Sequence, residues 1–112
     1  METAVVVRKL KEYQIVEKLS VNSDTGYMGL GNRELWAEIN QLINGEIIPT
    51  FIYLIKENRL TNKDVKQTID NFFDYLAGRK IYHQLDTEDK EELNKVLLTI
   101  LQIIGKEHIP LN

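Results

Sequence analysis

The chain has 112 residues, 43% hydrophobic and 28% charged, with a formal net charge of −3; this supports one domain with its own core and an ordinary solvated surface. It contains no cysteine, which excludes disulfides, thiolate nucleophiles and Cys-ligated zinc or iron–sulfur clusters together. A sequence pI near 5.4 supplies no general basic field for a phosphate backbone.

The N-terminal apolar run Ala4-Val5-Val6-Val7 is cut short by Arg8 and Lys9, too soon for the apolar region of a signal peptide. With the lack of cysteine this predicts a cytoplasmic protein. The longest apolar stretch, Ile47 to Ile55, is interrupted by Pro49, Thr50 and Tyr53 and falls far short of the roughly 20 residues that span a bilayer. No membrane span is expected.

Val6, Leu10, Tyr13 and Val16 follow a helical spacing, while Tyr13, Ile15, Leu19 and Val21 fit a broken alternation. Lys9 to Glu12 restore the helix propensity that three valines lower, and no hairpin turn separates two strands. The balance favours helix, with a small N-terminal β element as the alternative. Residues 21–31, Val-Asn-Ser-Asp-Thr-Gly-Tyr-Met-Gly-Leu-Gly, are a cluster of turn formers and read as a flexible glycine-rich loop.

Asn32 then suits the cap of a helix carrying Leu35, Trp36, Ile39, Leu42 and Ile43, with Gly45 as its stop. Pro49 disfavours the α region for Ile48, so a new helix is predicted to start there and run to about Asn58. Thr61 and Asp64 form a variant capping box before the stripe Val65, Ile69, Phe72, Phe73 and Leu76, and Gly78 suits the left-handed position after that helix. A connector from Arg79 to Leu85 leads to Asp86 or Thr87 as the cap of a last helix with Leu93, Val96, Leu97, Ile100, Leu101 and Ile104, ending at Gly105. Residues 106–112 form a tail. The predicted fold is all-α: a single domain, residues 1–112, built as a compact bundle of four to five helices.

Chemistry-bearing constellations are sparse. His83 and His108 stand on different segments, neither at a ligand spacing with another His, so no metal or other cofactor is predicted. Asp70 with Asp74, and Glu88 with Glu92, share helix faces, a pattern that solvated amphipathic helices carry routinely. The loop before Asn32 has the order Gly-x-x-Gly-x-Gly without a Walker lysine, unlike the nucleotide-binding contexts. Its notable feature is the interleaving of Tyr27, Met28 and Leu30 with those glycines, which places adaptable apolar side chains on a flexible segment; such side chains either fold back on the core or anchor a protein partner.

The segment ending near Asn58 and the helix from Thr61 also suggest a helix-turn-helix, with Lys63, Lys66 and Gln67 at the start of a recognition helix and Arg79 and Lys80 as a second basic cluster. Asp64, Asp70 and Asp74 oppose that reading by repelling phosphate. No catalytic signature emerges. The sequence therefore points to a small non-enzymatic regulator, adaptor, inhibitor or immunity-type accessory protein that binds another protein, with a nucleic-acid-binding regulator as the alternative. Its composition resembles that of bacterial accessory proteins, and a homo-oligomer is compatible with its apolar content.

Overall fold

The computed structural model describes residues 3–22 and 33–111, and among them there are helices and no strand. The all-α prediction holds. The described residues fall into two compact units, Met1–Asn58 and Arg59–Asn112.

In the first unit, α1 spans Thr3–Asn22. It buries Val6, Val7 and Leu10, so the helical reading favoured for the N-terminal segment holds from Thr3 onward. Val21 and Asn22 belong to this helix, while residues 23–32, with most of the predicted loop and the Asn32 cap, lie outside the described residues.

The predicted break between Gly45 and Pro49 does not occur. Helix α2 (Arg33–Leu42) passes into a π-helical turn (Ile43–Ile47) and then directly into α3 (Ile48–Lys56). Ile48, expected outside the α region, has φ −63° and ψ −46°. Local propensity costs about 1 kcal/mol for a glycine and about 3 kcal/mol for a proline inside a helix. Against this, Ile43, Ile47 and Ile48 are all buried, each contributing about 1.5–3 kcal/mol. Burial outweighs punctuation here.

Pro49 leaves a specific defect in this rod. The N–H of Ile48 donates to the Ile43 carbonyl, five residues back, and Pro49 has no N–H to offer. The Asn44 carbonyl is thus left without the donor that either an α or a π turn would supply. Gln14 Nε2 of α1 donates to that carbonyl, replacing the missing backbone bond with a side chain from another helix. Asn44 and Asn40 are themselves buried, and Asn44 Nδ2 donates to Asn40 Oδ1 at 2.8 Å. Gln14 beside Asn44 and Lys56 beside the first turns of α1 set α1 antiparallel to the rod.

The second unit has helices α4 (Asn62–Gly78), α5 (Ile81–Gln84) and α6 (Thr87–Ile103). Thr61 caps α4 as predicted, its hydroxyl accepting from the Asp64 N–H at 3.1 Å. Of the two candidates for α6, Asp86 is the cap and accepts from the Asp89 N–H at 2.8 Å. Gly105 ends α6 with φ 72°, and Lys106 N–H closes back to the Leu101 carbonyl at 2.8 Å, the pairing of a Schellman motif. Lys106 Nζ donates to Asn62 Oδ1 at 2.8 Å and Ile109 is buried, so the tail is held against the start of α4.

One glycine assignment is corrected. Gly78 is the last helical residue of α4, and the left-handed residue is Lys80, with φ 59°. A non-glycine residue costs about 1–2 kcal/mol in that conformation. The reversal carries Ile81 into a buried position at 2% exposure, which offsets the cost.

Candidate interaction surface

Along the first turns of α1 the three-and-four spacing of Thr3, Ala4, Val7, Arg8, Lys11 and Glu12 puts them on one face. Together with Lys56 from the last turn of α3 they line an open groove of about 660 Å³, almost entirely apolar in its lining. Thr3, Ala4 and Val7 supply its short side chains. The longer side chains of Arg8, Lys11, Glu12 and Lys56 contribute alkyl stems to the walls and charged ends to the rim, as long charged side chains do beside apolar surface.

The rim is unbalanced. Three cations face one carboxylate, and that carboxylate, Glu12, lies 3.8 Å from Arg8. Lys11 and Lys56 have no ion pair among the described residues. The groove is locally basic on a chain whose net charge is −3.

Of the residues singled out for partner binding, Tyr27, Met28 and Leu30 lie outside the described residues. The residues considered for nucleic acid are separated and in part engaged. Lys63 is exposed, Lys66 Nζ pairs with both oxygens of Asp70 at 3.0 and 3.2 Å, and Gln67 Nε2 donates to Asn71 Oδ1 at 2.9 Å. Arg79 sits 6.0 Å from the Tyr75 ring at the opposite end of α4, about 24 Å from Lys63 at 1.5 Å rise per residue. Lys80 is the exposed left-handed residue before α5. These five side chains do not converge.

The remaining titratable groups are dispersed. His83 and His108 are both exposed, and among the described residues no three of His, Asp or Glu gather where a metal ion would be held. Tyr82 packs edge-on to Phe73 at 6.0 Å and has Lys90 Nζ 4.7 Å from its ring centroid. Among the described residues no helix is long and apolar enough to cross a membrane.

Sequence reasoning missed the groove and the Gln14 tie. The groove left a faint signal in the small residue Ala4 placed one turn before Arg8. Gln14 left none, since its partner is a backbone carbonyl 30 residues away.

A family model described as a domain of unknown function, DUF4844, matches residues 1–108. The chain belongs to that family. The DUF4844 match takes in the α1 groove, the π-helical turn and the Gly105 stop alike, and so runs across both units. Nothing among curated proteins, and nothing among solved structures, matches this DUF4844 chain.

Proposed function

We propose that this chain is a non-enzymatic protein-interaction module, a regulator, adaptor, inhibitor or immunity-type accessory protein acting in the bacterial cytoplasm. The observation that carries the reading is the α1 groove, apolar in its lining and bordered by long charged side chains. Apolar surface surrounded by polar groups is a common signature of protein-binding sites. The Tyr27, Met28 and Leu30 segment offers a second set of contact residues of the type enriched at interfaces.

The test is photo-crosslinking from source cells, with a benzophenone amino acid placed in turn at Ala4, at Tyr27 and, as a control, at Gln67. A discrete protein adduct from Ala4 or Tyr27, absent from Gln67, supports the reading. No adduct from either position overturns it. With the captured protein purified, undiminished binding by a Tyr27→Ala/Met28→Ala variant removes the loop from the interface and leaves the groove as the contact.

A further inference from the structure

We infer that the α1 groove receives an amphipathic α-helix of another protein, one whose apolar stripe is flanked by Asp and Glu side chains. This rests on the protein-binding reading above and adds the chemistry of the partner.

Three features select that occupant. The groove follows α1 from Thr3 to Glu12, about 13 Å of helix at 1.5 Å rise per residue, a length that accepts two or three side chains spaced at i, i+3 or i+4, and i+7. Thr3 and Ala4 in its lining are small, so the backbone of a docked helix can approach closely. Charge then chooses among helices. With three cations lining the groove against one carboxylate, the Lys11 and Lys56 ammonium groups favour acidic flanks and oppose basic ones.

The probes are two fluorescein-labelled helical peptides of about 15 residues, the length at which isolated helices become marginally stable. They share one leucine stripe and differ only in carrying Glu or Lys beside it. Anisotropy titrations with the full chain should show binding of the Glu peptide, weakening as salt is raised, and much poorer binding of the Lys peptide. A Lys11→Glu/Lys56→Glu variant should lose about tenfold in affinity for the Glu peptide, about 1.4 kcal/mol, and should gain affinity for the Lys peptide. Both substitutions are at exposed positions, and circular dichroism checks that the variant is folded.

Equal binding of the two peptides, or binding indifferent to the charge reversal, overturns the inference, as does failure of the Glu peptide to bind at any soluble concentration. Concentration-dependent self-association abolished by Ala4→Arg assigns the groove to a second copy of the chain and overturns it as well. Its failure is distinguishable from failure of the module reading: a crosslinked protein adduct without peptide selectivity leaves the module standing and removes only the acidic helix.

Discussion

In the unit Arg59–Asn112 three of the four boundaries of the long helices are marked by a residue whose own chemistry suits it: Thr61 and Asp86 accept the first free N–H groups, and Gly105 takes the left-handed turn, whereas after α4 that turn falls on Lys80. In Met1–Asn58 the corresponding marks, Gly45 and Pro49, lie inside a continuous rod and stop nothing. The contrast teaches when punctuation is decisive. A cap costs nothing elsewhere and is obeyed. A breaker between two strongly apolar stripes is overridden, and the backbone bond it removes is replaced from another helix by Gln14.

The contrast can be broken or sharpened by substitution, with stability read by chemical denaturation. The largest effect is expected at Phe51, fully buried on α3 just beyond the proline. Phe51→Ala should cost about 3–5 kcal/mol, and a small loss would mean that burial does not hold the rod together. Next comes Gln14→Ala, which leaves the Asn44 carbonyl unsatisfied at about 1–3 kcal/mol. In a Pro49→Ala background the turn regains an N–H, and the cost of losing Gln14 should shrink. Equal costs in the two backgrounds would show that Gln14 does not compensate for the proline.

Smaller effects separate the two units. Asp86→Ala removes the α6 cap and should cost about 1 kcal/mol. The two glycines should respond with opposite signs. Gly105, at φ 72°, should lose about 1–2 kcal/mol on conversion to Ala. Gly45 lies within the rod, with nothing within 4 Å of the position that an added methyl would take, so Gly45→Ala should gain about 0.4–1 kcal/mol. A destabilised Gly45→Ala would show that the π-helical turn needs the glycine itself.

Much of this molecule was legible in residue patterns. Of the predicted stripe, Val65, Ile69, Phe72 and Leu76 are buried and Phe73 is half-buried, while Leu93, Val96, Leu97, Ile100, Leu101 and Ile104 are all buried as their spacing predicted. The left-handed residue after α4 was misplaced onto Gly78 because composition favours glycine there, whereas the position of the reversal is set by the need to bury Ile81. The candidate surface was least legible. Ala4, Val7 and Lys11 are unremarkable as letters, and their groove exists only because Lys56, distant in sequence, stands beside them.

The amino-acid sequence by itself favoured the all-α class, set the helical stripes and the ends at Thr61 and Gly105, and narrowed the α6 cap to Asp86 or Thr87, because periodicity and capping act within a few residues of chain. Tertiary structure alone decided that Gly45 and Pro49 stay inside one rod, that Gln14 satisfies the carbonyl Pro49 strands, and that α1 and Lys56 enclose a basic-rimmed groove. Each of these depends on burial or hydrogen bonding between segments far apart in the chain, where a few kilocalories of packing exceed any local preference.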